Sequence, residues 1–194
     1  MTIEKTKATD VVSGGLSCNT KAAEAAQAAG AYHVECRDKD GNLKWATESK
    51  NLVVTAGLQY MAGTSLDGAT ARITTWYLGL ITGPGSGTTF ATTDTLASKS
   101  WTEYTNYSGS RPAVTFGTAS NPGTGASIIS NSASPSSFSI TGAGGTVAGA
   151  FLCTVASGPS GILFSESDFQ SPGDRVVVLG DTLNVTYTFT LTAA

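Results

Sequence analysis

The chain has 194 residues, of which 13% are charged and 40% hydrophobic, and its formal net charge is −3. That length suits one compact domain with an appendage and is enough to bury a core without staples. The acidic balance argues against a nucleic-acid binder, the hydrophobic share argues against intrinsic disorder, and the lack of any apolar run of about 18 residues argues against a transmembrane helix.

Charge is unevenly spread. Residues 1–50 carry 14 of the 25 charged side chains, and the remaining 144 residues carry 11. The body is instead rich in Ser, Thr and Gly, which number 22, 29 and 23. Residues 1–30 are therefore read as a flexible N-terminal arm and residues 31–194 as the folded domain. Within the arm, Lys21 to Ala29 has high helix propensity but no large apolar stripe. The polar start, Met1 to Asp10, lacks the apolar core of a secretory signal, which points to synthesis in a cytoplasm.

Residues 31–48 predict a β-hairpin. Tyr32, Val34 and Cys36 alternate with His33, Glu35 and Arg37, and Asp40-Gly41 supplies a tight turn. In residues 51–62 the period changes, with Val54, Leu58 and Met61 at helical spacing and Asn51 as a candidate cap. Ile73 to Ile81 is a nearly continuous apolar run, the pattern of a strand covered on both faces. Asp94 to Trp101 reads as one helical turn capped by Asp94. Further strands are expected at Arg111–Phe116, Ser127–Ile129, Ser137–Ile140, Val147–Val155, Gly161–Phe164 and Arg175–Leu179. The final strand is the clearest. Leu183, Val185, Tyr187, Phe189 and Leu191 face one way, and Asn184, Thr186, Thr188, Thr190 and Thr192 face the other. This pattern predicts an all-β fold, an antiparallel β-sandwich or jelly-roll with one short helix and an extended N-terminal arm.

The inventory for chemistry is thin. His33 is the single histidine, it sits among charges, and no GxSxG elbow supplies a serine for a triad. Its spacing from Cys36 puts the two on opposite faces of one strand. Cys18, Cys36 and Cys153 form neither a disulfide framework nor a CxxC pair and read as free thiols. No catalytic, cofactor-binding or metal-binding residue is therefore assigned, and no cofactor is expected. Glu166 and Asp168 are the best paired carboxylates for glycosidase chemistry, and Asp174 could join them in a weak cation site. Their surroundings, SESDFQSPGD, read as a solvated turn. Trp101, Tyr104 and Tyr107 are read as core or interface packing, with an exposed carbohydrate platform as the alternative. Arg111 is placed to pair with Glu103.

Several blocks carry a resemblance. Residues 31–62 (AYHVECRDKDGNLKWATESKNLVVTAGLQYMA), TWYLGLITG at 75–83, DTLASKSWTEYTNY at 94–107 and SRPA at 110–113 resemble a widespread group of tailed-bacteriophage proteins. The likeness continues through SNSASPSSFSIT at 130–141, TVAGAFL at 146–152, LFSESDF at 163–169 and GDTLNVTYTFTL at 180–191. It implies a virion structural protein and carries over no site residues. Size, sandwich pattern and missing chemistry further resemble phage capsid cement or decoration proteins. The expectation is a non-enzymatic protein on the capsid surface of a virion, made in the host bacterial cytoplasm. Its partners would be the major capsid protein and other copies of itself, as dimer or trimer, with neither nucleic acid nor membrane. The alternative is a tail, collar or fibre component involved in host attachment.

Overall fold

The computed structural model describes residues 26–83, 90–123, 125–169 and 173–193. Most of the expected arm, residues 1–25, therefore lies outside the described residues. Two antiparallel sheets pack face to face as a β-sandwich, with one short helix, as the sequence pattern predicts.

The first sheet is built on β1 (Ala26–Arg37) and β12 (Thr182–Ala193), which pair along their whole lengths from Ala26 with Ala193 to Arg37 with Thr182. Strand β2 (Leu43–Lys50) lies on the free side of β1. The other side of β12 takes β7 (Ala126–Ser130) and β8 (Ser136–Ser139). The second sheet runs β3 (Leu52–Val53), β10 (Leu163–Asp168), β9 (Gly145–Cys153), β4 (Trp76–Thr82) and β5 (Glu103–Tyr104). There β6 (Ala113–Val114) adds to β4 and β11 (Arg175–Val177) adds to β9.

Alternation decides what meets in the middle. Tyr32, Val34 and Cys36 of β1 and Leu183, Val185 and Tyr187 of β12 face Leu78, Leu80, Ala150 and Leu152 of the second sheet in one buried cluster. The opposite face of the second sheet is covered too. Leu96 and Trp101, from the segment leading into β5, lie over Ile81, Phe151 and Leu163. This second layer explains why β4 and β9 read as continuous apolar runs.

Several expectations are corrected. β1 starts at Ala26, so the helix-prone alanines 26–29 are strand, because pairing with β12 outweighs a weak intrinsic preference. Residues 51–62 divide into β3 and helix α1 (Thr55–Ala62), which runs on into a π-helical segment at Gly63–Asp67. Val54, not Asn51, stands at the N-cap and makes no side-chain cap bond. Asp94 to Trp101 is irregular, with the Asp94 carboxylate accepting from the Ala91 N–H at 3.2 Å. The strand expected at 111–116 shrinks to two residues, and that expected at 161–164 extends to Asp168.

Gly79 has a packing reason. The ring of Phe151, its partner across the ladder, lies over it, and a Cβ there would fall 2.1 Å from the ring. Trp101 holds that ring from the far side, with centroids 4.7 Å apart. Gly79→Ala must displace the stacked pair and is expected to cost about 1–3 kcal/mol, read as a lower urea midpoint with an unchanged slope.

Candidate functional site

Strand β10 is a polar strand in a dry place. Ser165 and Glu166 are fully buried and Ser167 almost so. The turn expected for SESDFQSPGD is thus overturned over residues 165–168, which continue β10. Each polar group is instead engaged across the fold. Ser165 Oγ lies 2.7 Å from Tyr32 Oη and donates to Tyr187 Oη at 3.3 Å, and Asn51 Nδ2 donates to the same Tyr187 oxygen at 2.8 Å. Ser167 Oγ donates to the Lys50 carbonyl at 2.8 Å.

Glu166 points to the other side, beneath the segment that carries Asp94, Lys99 and Trp101. Its Oε2 accepts from the Trp101 indole N–H at 2.7 Å, while its buried Oε1 has no such partner. Burial pushes the Glu166 carboxyl up to about 8, and the adjacent Asp94 carboxylate adds to the rise, while the Trp101 and Lys99 contacts oppose it. At neutral pH the carboxyl is therefore protonated, with its O–H available to Asp94.

The other sequence-singled residues also find structural places. Trp101, Tyr104 and Tyr107 are all buried, so the exposed aromatic platform does not exist. Arg111 and Glu103 pair as expected, through two bonds of 2.7 and 2.6 Å. Arg111 also donates to the carbonyls of Val155 and Gly158, both at 3.1 Å, which ties two loops together. Cys36 is buried while His33 lies on the opposite, outer face. Glu166 and Asp168 do not form an open carboxylate pair: one is sealed under Trp101 and the other is only partly covered. Among the described residues no group of three or more His, Cys, Asp or Glu is placed to hold a metal ion. No described helix is long and apolar enough to cross a membrane.

Two surface features remain. The first is the outer face of the first sheet. On it β12 presents Asn184, Thr186, Thr188, Thr190 and Thr192, flanked by Ser130 and Ile128 of β7 and by Ser137 and Ser139 of β8. That half of the face carries no charged side chain. Thr188 and Ser130 link their hydroxyls at 3.0 Å. The charged residues of the face, Glu35, Glu48 and Lys50 among them, stand on β1 and β2.

The second is a cleft of about 640 Å³ where the two sheets part, between α1 and β7, lined by Tyr60, Trp76, Phe116 and Ile129 with Arg72 at its rim. An apolar recess of about 230 Å³ adjoins it, reaching Met61, Phe164, Phe189 and Leu191. The Thr-lined row of β12 was legible in its alternation, whereas its neighbours on β7 and β8 and the cleft draw on strands distant along the chain and were not.

Comparison with protein-family models, with curated proteins and with solved structures finds no match for this chain.

The protonated Glu166 has a pH consequence. Below about pH 4.5 folded and unfolded chains both hold the proton, and between there and about 8 only the folded chain does. Stability from this group is thus complete at the acid end and falls as pH rises, by up to about 1.4 kcal/mol per pH unit, before levelling off above pH 8. Glu166→Gln keeps the Trp101 bond and supplies an uncharged donor toward Asp94. It is expected to flatten this slope and to raise Tm relative to the unaltered chain at pH 8–9 but not at pH 4.5. Parallel melts across that range check it.

Proposed function

We propose that this chain is a structural component of a tailed-phage virion, a cement protein that binds and stabilises the outer capsid shell. The observation that carries the reading is the uncharged hydroxyl face of β12, β7 and β8. It is broad, regular and built on rigid strands. Threonine and serine hydroxyls lose little on leaving water when a partner's backbone or side chains replace it, whereas buried unpaired charges cost several kcal/mol each. The block resemblance described above supports the same class of protein. The partners proposed are the major capsid protein and neighbouring copies of this chain. Binding only the assembled lattice would stabilise it by mass action, and many copies multiply a modest contact.

The alternative of a host-attachment component in the tail, collar or fibre drew on Thr-rich β structure together with exposed aromatics, and the three aromatics at 101–107 are buried. The shell reading is therefore preferred.

Cryo-electron microscopy of whole particles tests it. Many copies distributed over the icosahedral shell, with β12 against the capsid, are expected, whereas a few copies at the tail vertex would reject the proposal. Thr188→Glu with Thr190→Glu should leave the melting temperature within about 2 °C and lower shell occupancy at least tenfold, because two charges would enter the contact.

A further inference from the structure

The outer face of the second sheet is covered by residues 93–101, a strap of irregular chain. It is tied at both ends. The Thr92 carbonyl accepts from the Thr55 N–H of α1 at 2.7 Å, and the Thr102 carbonyl accepts from the Thr82 N–H of β4 at 2.8 Å. Between these ties the strap bonds to itself, the Thr95 and Ser98 N–H groups each donating to the other's carbonyl at 2.9 and 3.2 Å. It is pressed down by the buried side chains of Leu96 and Trp101 and by the indole bond to Glu166. Glu166 is held far more firmly, because its strand is paired on both sides, with Phe151 of β9 and Leu52 of β3 opposite it. The charged groups nearest its carboxyl are Asp94 and Lys99 of the strap. Lys99 is turned aside, its Nζ donating to the Leu96 carbonyl at 2.7 Å and lying 4.8 Å above the Trp101 ring. Asp168, next on the same face of β10, stands beside Asp174. Beyond Phe151, Arg111 lies 5.2 Å from that ring and is paired with Glu103. Burial holds the Cys153 thiol of β9 and the Tyr32 hydroxyl of the facing sheet above their ordinary values, so Glu166 ionises before either on going alkaline.

We propose that this strap is a cover released by alkali: loss of the Glu166 proton to solvent, beside Asp94, lifts residues 93–101 from the sheet and exposes Trp101 and Phe151 while the sandwich stays folded. With the proton in place, the carboxyl accepts from Trp101 and has an O–H for Asp94, so both of its oxygens hold the strap down. Without it, two like charges face each other under a dry cover, and a buried ion that lacks both water and a counter-charge is costly. The charge regains water by the weakest route. Moving β10 would break the ladders on both of its sides, whereas lifting the strap breaks one indole bond and uncovers two apolar side chains. Segments of irregular chain open locally well before the laddered strands do. Glu166 therefore acts on the strap before it acts on the fold. The inference is independent of the shell-binding reading, which concerns the other sheet.

Solvent exchange of the Trp101 indole N–H, followed by NMR on the full 194-residue chain and assigned with Trp101→Phe, tests it. At about pH 6.5 this proton is expected to be protected equally in the unaltered chain and in Glu166→Gln. At about pH 9.5 it should exchange at least about tenfold faster in the unaltered chain than in Glu166→Gln. Comparing the two at one pH cancels the dependence of exchange on hydroxide. Asp94→Asn offers the ionised carboxyl a donor in place of a like charge, so it should protect the indole as Glu166→Gln does. That variant leaves β10 untouched and carries the comparison if Glu166→Gln does not fold. The paired amides of β1 and β12 should stay protected throughout. Equal indole exchange in the unaltered chain and the variants at about pH 9.5 would overturn the proposal. So would loss of β1–β12 protection in step with the indole, which is unfolding of the whole chain.

Discussion

The pairing of β1 with β12 is the constraint on which the rest of the structure depends. Twelve residues of one strand meet twelve of the other, in register, although they lie at opposite ends of the folded chain. Every other strand of that sheet attaches to one of the two, with β2 on β1 and β7 and β8 on β12. The register also fixes the core, because a slip of one residue would put Tyr32 and Tyr187 on opposite faces of the sheet. Their rings lie 4.7 Å apart and share the polar contact with Ser165 of the facing sheet. Such a distant closure has a large loop-entropy cost. The interior must therefore assemble around this ladder as a unit.

Strand β10 makes the two sheets specific to each other. An apolar strand in its place would let the sheets slide over an oily contact. Ser165 and Ser167 instead bind the tyrosine pair and the end of β2 across the two sheets, while Glu166 fixes the Trp101 segment on the other face. Each bond is worth only about 1 kcal/mol net, yet leaving any one group unpartnered in the interior costs more than that. The polar strand thus contributes little to stability and much to the choice of one packing.

How much of this was legible in the sequence depended on the range of the forces involved. β12 could be read residue by residue, because strict alternation is a local consequence of one buried face. The run from Ile73 to Ile81 disclosed a strand covered on both sides, although not what covered it. The cover is irregular chain carrying Leu96 and Trp101, whose local sequence resembled a helical turn. Asn51 looked like a cap because a helix followed, but a tyrosine hydroxyl from β12 claims its side chain. Glu166 was misread for the same reason: a carboxylate between serines predicts a wet turn, and only a distant indole and a neighbouring acid make a buried strand tolerable there. The Glu103–Arg111 pair, eight residues apart, was within reach of sequence reasoning.

The surface follows from the same division of labour. Charge is concentrated toward the β1–β2 side, where Lys44, Glu48 and Lys50 lie along an edge strand and discourage another sheet from pairing there. The β12 side needs no such guard, because β7 and β8 already occupy its edge. That leaves a stiff, uncharged field of hydroxyls with its register locked by the ladder behind it. A flexible loop binding a partner would first lose conformational entropy, whereas this face has lost it on folding. Weak contacts at each hydroxyl can therefore add up against a rigid partner surface with little further ordering cost.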